Sequence, residues 1–377
     1  MRDYCAIIAR LFILRYNQHR LTFLLISNMF KPKYKLTNKI LSLLTETAEA
    51  KTIIEKAKIL PEQELKLRRQ ALARMTQSST AIEGNILNLN QVEALIVGKK
   101  VDAPERDIYE VKNYLATIKY IEKIEKEKKP LTEKIILKIH KLVTKNTLSK
   151  DKSGKYRTVP VYIVRRQFGK KNKVIYTAPP AKDAPDLMKN LIDWINISEK
   201  ENIHPVIAAG IAHREFAAIH PFVDGNGRTA RALATLILYQ RGYDFRKLFA
   251  LEDYYNLDKQ RYYQEINIGQ KYNKKDFTKW LEYFIEGFKE EIIRVKEEIV
   301  LLETKKIGSS LKKQIMLSKK QAQIIDFINT IGKITAKDAA DILRCPKRTA
   351  QLELQKLKKQ GIIKQTGKGP AAGYVVK

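Results

Sequence analysis

Cysteine and histidine are scarce in this chain, which has two cysteines, Cys5 and Cys345, and five histidines in 377 residues. Two cysteines give no disulfide framework, so we expect a cytoplasmic protein. No apolar run approaches the roughly 18–20 uninterrupted residues of a membrane-spanning helix, so we expect no membrane partner. Acidic residues number 41 against 72 basic ones, a formal net charge of +31. The basic character therefore belongs to the whole chain and not to one segment.

The first 28 residues differ from the rest of the chain. Their apolar stretches are interrupted by Arg10, Arg15 and Arg20, and a small-residue cleavage site is missing. This is a poor match to a secretory signal. We expect Met29 to be the natural start and residues 1–28 to be a mis-called extension.

The most informative run is residues 220–231, which read HPFVDGNGRTAR. Residues 204–219 carry apolar side chains at helical spacing, and Pro221 cannot continue that helix. We therefore expect His220 at the helix exit, a loop over 221–228, and a second helix from Thr229 to Tyr239. The unpaired amides and the dipole of a helix N-terminus attract anions.

The side chains of this run suit phosphate chemistry next to a proton acceptor. His220, with an ordinary pKa near ~6.5, is the candidate general base. Asp224 offers the hard oxygen that Mg²⁺ prefers. Glycine lets backbone amides approach phosphate oxygens, and arginine binds them through its planar fork. The candidate phosphate-binding residues are Gly225, Asn226, Gly227, Arg228, Thr229 and Arg231.

Other interpretations of the run are weaker. Gly and Asn also serve turns that have no function, and His220 with Asp224 would suit zinc, but no further His or Cys cluster supports a zinc site. A Walker-type loop is excluded because its Gly-x-x-x-x-Gly-Lys-Ser/Thr spacing is absent.

The run resembles the signature of the Fic family, His-x-Phe-x-Asp/Glu-Gly-Asn-Gly-Arg-x-x-Arg, with every defining position filled. The resemblance implies a protein adenylyltransferase that takes Mg·ATP and passes AMP to a Ser, Thr or Tyr hydroxyl of a target protein. It implies a mainly α fold: a helical Fic core with a small β-hairpin flap, here followed by a C-terminal winged-helix domain. Relatives with similar signatures use UTP or CDP-choline, so the nucleotide stays open.

A second segment, residues 77–85, resembles the inhibitory motif of the family, Ser/Thr-x-x-x-Glu-Gly/Asn. Here the motif comprises Ser79, Glu83 and Gly84. It precedes the core, as in the subclass with an N-terminal inhibitory helix. The resemblance implies that Glu83 pairs with Arg231, occupies the space of the γ-phosphate and misorients ATP.

Two further segments resemble parts of the family less specifically. Residues 154–164 and 173–180 are β-prone runs around a basic turn, and the resemblance makes them a flap that pairs with an extended target segment. Its central residues are Val161, Tyr162 and Ile163, although an ordinary surface hairpin remains open. The resemblance also assigns Tyr262, Tyr263 and Gln270 to the contact with adenine, although tyrosines on a helix more often belong to a core.

The predicted domains are a helical region with the inhibitory helix over 29–125, a catalytic core over 126–285, a helix and linker over 286–318, and a winged helix-turn-helix over 319–377. Residues 305–377 hold 17 Lys or Arg against 4 Asp or Glu. Phosphate contacts to DNA and protein docking are both open for this unit.

Two other functions remain open at this stage. The same site could remove AMP, with Glu83 positioning water, or the chain could be a nucleotide-sensing DNA-binding regulator. We expect the protein to modify itself. The sequence identifies neither the target protein nor the oligomeric state, and a homodimer remains open.

Overall fold

In this computed structural model, the described residues are 30–165, 173–267, 276–308, 317–367 and 373–376. They form fourteen α-helices and two small antiparallel sheets. Residues 1–28 and the predicted base-contacting Gln270 lie outside the described residues. Within the described ranges, no helix combines the length and the apolar character that crossing a membrane requires.

Nine helices and one hairpin, which follows the fifth helix in chain order, make up residues 38–257. They are α1 Asn38–Lys56, α2 Pro61–Ile82, α3 Leu89–Ile96, α4 Glu105–Glu127, α5 Glu133–Val143, α6 Ala184–Lys200, α7 Pro205–Ile219, α8 Asn226–Gln240 and α9 Leu251–Leu257. The hairpin strands are β1 Tyr162–Arg165 and β2 Lys173–Thr177. The remaining helices of this unit are α10 Lys259–Asn267 and α11 Thr278–Gly308.

Helices α7 and α8 pack along each other at the centre of the largest core. The predicted apolar positions Ile207, Ile211 and Phe216 of α7 are buried, as are Leu233 and Leu236 of α8. Helix α7 ends at Ile219, as Pro221 predicts. Helix α8 begins at Asn226 and not at Thr229. The prediction of a loop over 221–228 was therefore wrong at its end, and the loop connecting the helices, which we call the catalytic loop, comprises residues 220–225.

The N-terminal helices cover this centre. Helix α1 packs along α11, and α2 packs against α3, α4 and α9. Helix α2 ends at Ile82, after which Gly84 takes a φ of 99° that favours glycine. Helix α11 runs without a break through residues 285 and 286, where the sequence prediction placed a boundary.

The flap hairpin, β1 with β2, pairs antiparallel with Tyr162 opposite Thr177 and a register irregularity after Ile163. Its strands are shorter than the two β-prone runs of the sequence. The carbonyl of Val161 accepts a hydrogen bond from the amide of Ala178 at 3.2 Å and extends the pairing by one step.

The C-terminal unit consists of α12 Lys319–Ile331, β3 Ile334–Thr335, α13 Ala336–Leu343, α14 Lys347–Lys359, β4 Ile363–Thr366 and β5 Gly373–Val376. The strand order is β3-β5-β4, and the side chain of Thr335 caps α13. Leu65 of α2 joins the apolar core of this unit, and Arg68 lies 3.5 Å from Asp326. The unit therefore contacts the same helix that ends in Glu83, while its winged-helix class stays a prediction.

Candidate active site

His220 occupies the first position after α7, with a left-handed φ of 50°. Its Nδ1 lies 3.3 Å from the carbonyl oxygen of Ala217. A carbonyl can only accept, so Nδ1 carries the proton and Nε2 retains its lone pair. Burial lowers the pKa of His220, and the nearby Arg157 cation lowers it further. At neutral pH the imidazole is therefore an uncharged proton acceptor, as the sequence predicts.

A second histidine, His140 of α5, packs against the catalytic loop and forms a hydrogen bond with it. Its Nε2 donates to the carbonyl of Asp224 at 2.9 Å, and the amide of Gly154 donates to its Nδ1 at 2.9 Å. Its ring stacks on Phe222 with centroids 3.7 Å apart. Burial lowers the pKa of His140 to about 4, which fits the neutral tautomer that these contacts require. Sequence reasoning missed this residue.

Two predicted phosphate ligands stabilise the loop itself. The side chain of Asn226 accepts from the amide of Phe222 at 2.9 Å and donates to its carbonyl at 2.8 Å. The hydroxyl of Thr229 is buried and donates to the carbonyl of Gly225 at 2.8 Å. Both side chains are engaged with backbone groups of the loop, and their contact with phosphate stays a prediction.

Asp224 and Arg228 contact each other where the loop joins α8. One oxygen of the Asp224 carboxylate accepts from the amide of Gly225 at 2.6 Å, and the side chain is 42% exposed. Arg228 is buried, with Nη1 3.3 Å from Glu110 and Nη2 3.8 Å from Asp224. Its Nε and Nη1 have no hydrogen-bond partner among the described residues. The start of α8 thus combines an accessible carboxylate with a buried arginine that is paired with Glu110 and Asp224.

The oxygen ligand that Asp224 offers at this loop suits Mg²⁺. No group of three or more His, Cys, Asp or Glu side chains that could hold an ion occurs in the described residues. An ion here would therefore have Asp224 as its one carboxylate and would complete its shell with phosphates and water. Mg²⁺ is bound in this way in nucleotide sites.

The predicted partners Glu83 and Arg231 meet at the first turns of α8. Arg231 Nη2 donates to Glu83 Oε1 at 2.7 Å, and the same guanidinium donates to the hydroxyl and the carbonyl of Ser79 at 2.9 and 2.8 Å. Burial lowers the pKa of Arg231, but Glu83 and neighbouring tyrosines more than offset this and raise it above its ordinary value. We call this ion pair the latch.

The latch places a carboxylate directly on the backbone of α8. A Cβ at Gly227 would collide with Glu83 Oε1, so the absence of a side chain at this position permits the approach. Two contacts from the same side support the end of α2: Lys259 donates to the carbonyl of Ala81 at 2.6 Å, and Tyr263 donates to that of Ile82 at 2.9 Å. Glu83 therefore lies against Gly227 in the first turn of α8, where the sequence predicts phosphate.

Tyr262 is a core residue, which corrects its predicted contact with adenine. It is 2% exposed, and its hydroxyl lies 3.0 Å from Nε2 of His213. The neighbouring Tyr263 is 42% exposed and contacts the end of α2. Of the three predicted base contacts, only Tyr263 therefore lies both within the described residues and at the surface.

His213 is a fully buried histidine of α7. It lies among Tyr255, Trp280 and Phe284, and burial lowers its pKa to about 3. In the unfolded chain the histidine binds a proton with a pKa near ~6.5, whereas in the folded chain it stays neutral at that pH. The free energy of unfolding therefore falls as the pH drops below that value.

We expect His213→Phe to reduce the loss of unfolding free energy between pH 6.5 and 4.5 by about 2 kcal/mol, since one proton contributes ~1.4 kcal/mol per pH unit. Urea titrations at both pH values test this, and equal losses in parent and variant would contradict it.

Comparisons with known proteins show what this chain is similar to. Residues 130–238 match the sequence profile of the Fic/DOC family. The chain is 32% identical over 173 residues to a protein adenylyltransferase of Caenorhabditis elegans, a match that covers 44% of this chain and 31% of that protein. The chain spans about a third of the length of the curated relatives it matches.

Solved structures show the same fold. The crystal structure of a Fic family protein from Desulfovibrio desulfuricans G20 matches with a TM-score of 0.60 and 29% identity, over 92% of this chain and 98% of that one. A Fic domain containing signaling protein from Bacteroides thetaiotaomicron matches with a TM-score of 0.57 at 21% identity, over 73% of this chain and 100% of that one.

Proposed function

We propose that the protein is a protein adenylyltransferase, because residues 130–238 match the profile of the Fic/DOC family. It binds Mg·ATP and transfers AMP to a Ser, Thr or Tyr hydroxyl of a protein, with release of pyrophosphate. The observation that carries the proposal is the catalytic loop: it places the uncharged imidazole of His220 and the exposed carboxylate of Asp224 beside the glycine-lined N-terminus of α8.

The residues of the chain take complementary parts in the transfer. Nε2 of His220 removes the proton from the target hydroxyl, whose oxygen forms a bond to the α-phosphorus as the bond to the β-phosphate oxygen breaks. The amides that begin α8 and the Arg228 guanidinium stabilise the charge on the phosphates. Asp224 would hold Mg²⁺, which supplies charge neutralisation between the phosphates.

Autoinhibition is part of the same proposal. The Glu83 carboxylate lies against the backbone at Gly227 and pairs with Arg231. While it does so, a phosphate cannot occupy the same space beside the start of α8 and bind the Arg231 guanidinium. Like charges would also repel across this short distance. The resting protein is therefore expected to bind nucleotide in an unproductive manner or weakly.

Labelled nucleotides test the proposal. We expect the Glu83→Gly protein, incubated with a cell lysate, to label proteins from ATP carrying ³²P at the α-phosphate and not from ATP carrying it at the γ-phosphate. A chelator of Mg²⁺ should abolish the labelling. Label from the γ-position would indicate a kinase, and label from UTP or CDP-choline in place of ATP would change the nucleotide but not the reaction class.

The reverse reaction uses the same residues and remains the second candidate. Glu83 is 30% exposed and lies close enough to the catalytic loop to influence His220. It could therefore position a water against an AMP-modified side chain. Release of AMP from a purified modified protein by the parent chain, and not by Glu83→Gly, would support this direction.

The proposal extends to the C-terminal unit. Its order of helices and strands suits a winged helix, and α14 carries Arg348, Lys356 and Lys359. Phosphate contacts by these cations would give the unit salt-dependent affinity for DNA, whereas protein docking would depend less on salt. A cytoplasmic location, as its cysteine content suggests, and a homodimer are further parts of the proposal.

A further inference from the structure

Arg157 is a buried cation that joins three backbone segments. Its Nε donates to the carbonyl of His220 at 2.8 Å, its Nη2 to that of Pro179 at 2.5 Å, and its Nη1 to that of Val159 at 3.2 Å. Its own amide donates to the carbonyl of Pro221 at 2.9 Å. The residue is 2% exposed. One planar guanidinium thus connects the catalytic loop with a residue before β1 and a residue after β2.

We propose that Arg157 is a positioning residue that fixes the flap hairpin onto the catalytic loop and orients the imidazole of His220 for proton transfer. The backbone of His220 has the left-handed φ of 50°, which is unfavourable for a residue with a side chain. Hydrogen bonds to the carbonyls of His220 and Pro221 stabilise this conformation from one side. Because ring direction follows from backbone conformation, the same bonds determine where Nε2 lies.

A second contact supports the coupling of hairpin and catalytic helix. The hydroxyl of Tyr176, on β2, donates to the carbonyl of Ala218 in the last turn of α7 at 2.5 Å. Tyr176 therefore attaches the flap hairpin to Ala218, which precedes His220. Arg157 attaches it to His220 and to Pro221, which follows. The Tyr176 contact involves no charge.

Burying an arginine without a carboxylate partner costs free energy, because the charge loses its hydration. No ion pair of Arg157 occurs among the described residues, and burial lowers its pKa. Its three carbonyl partners lie in different directions, which suits the planar fork of arginine and not the single ammonium of lysine. The cation also contributes to the lowered pKa of His220, while Glu83 and Asp224, which face the same ring, act in the opposite direction.

The functional consequence rests on the proposed function. If the hairpin aligns an extended segment of the target protein, then Arg157 sets the distance between the target hydroxyl and Nε2 of His220. It does not touch the residues that begin α8. Loss of Arg157 should therefore lower the rate of transfer and leave the affinity for nucleotide unchanged.

The test compares Arg157→Lys and Arg157→Met in the Glu83→Gly background. We expect each to lower the rate of AMP transfer about 10²-fold, the effect of misplacing a reacting group by about 1 Å. Calorimetry should find the Kd for Mg·ATP unchanged. Arg241→Met is the matched control, because Arg241 also binds a backbone carbonyl, that of Ile195, away from the loop. Its rate should equal that of the parent background.

The pKa of His220, measured by NMR on histidine-labelled protein, separates positioning from a purely structural role. It should rise in Arg157→Met, which removes the cation, and rise less in Arg157→Lys, which keeps one. Amide exchange at Ala178 should accelerate in both. Unchanged rates, or a loss of nucleotide affinity equal to the loss of rate, would overturn the proposal. If the Glu83→Gly background transfers no AMP, the proposed function fails, whereas the NMR and exchange measurements still decide the role of Arg157: an unchanged His220 pKa in Arg157→Met would overturn it.

Discussion

Replacing Glu83 by glycine should raise AMP transfer about 10- to 100-fold, because a charge-assisted hydrogen bond contributes ~1.5–3 kcal/mol and this one must break before a phosphate can bind. The substitution removes the carboxylate that rests on Gly227. Arg231 keeps its hydrogen bonds to the hydroxyl and carbonyl of Ser79, so the guanidinium stays in place for the phosphate. The measurement is the initial rate of incorporation from α-labelled ATP.

Two variants sharpen this prediction. Glu83→Gln keeps the volume over Gly227 but removes the charge, so an intermediate rate would show that steric and electrostatic effects both contribute. Glu62→Gln removes a carboxylate from the exposed start of the same helix and should leave the rate unchanged. Equal rates of incorporation by the parent chain and by Glu83→Gly would contradict the inhibitory role of the latch.

The central helices of the fold were predictable because their signals are local. Apolar spacing placed α7, and the missing N–H of Pro221 placed its end. The start of α8 was misplaced by three residues. Gly225 takes a φ of 77°, and the chain re-enters the helix directly after it, which the spacing of apolar residues does not report.

The supporting residues of the site were not predictable by the same reasoning. Arg157 and His140 reach the catalytic loop from positions 63 and 84 residues away in sequence from their partners. Periodicity describes one element at a time and carries no information about such contacts. Arg157 lies within a segment that reads only as β-prone, and His140 resembles any polar residue of an amphipathic helix. Tyr262 shows the converse: its burial depends on α11, packed against α10.

Replacing His220 in the Glu83→Gly background should lower AMP transfer about 10²- to 10⁴-fold, the usual contribution of a positioned general base. His220→Asn is the sharper variant, because asparagine tolerates the left-handed φ of 50° better than alanine and has no basic nitrogen. Its affinity for Mg·ATP and its unfolding midpoint should therefore remain those of the background.

The pH profile of the same background identifies the group that is lost. The imidazole must be uncharged to accept a proton, and burial places the pKa of His220 below 6.5. The rate should consequently stay level from pH 8 down to about 6.5 and fall only at lower pH, where the ring becomes protonated. The small residual rate of His220→Asn should lack this acidic limb. A variant that retains the limb, or that loses nucleotide affinity in proportion to its rate, would mean that another residue accepts the proton and that His220 serves binding.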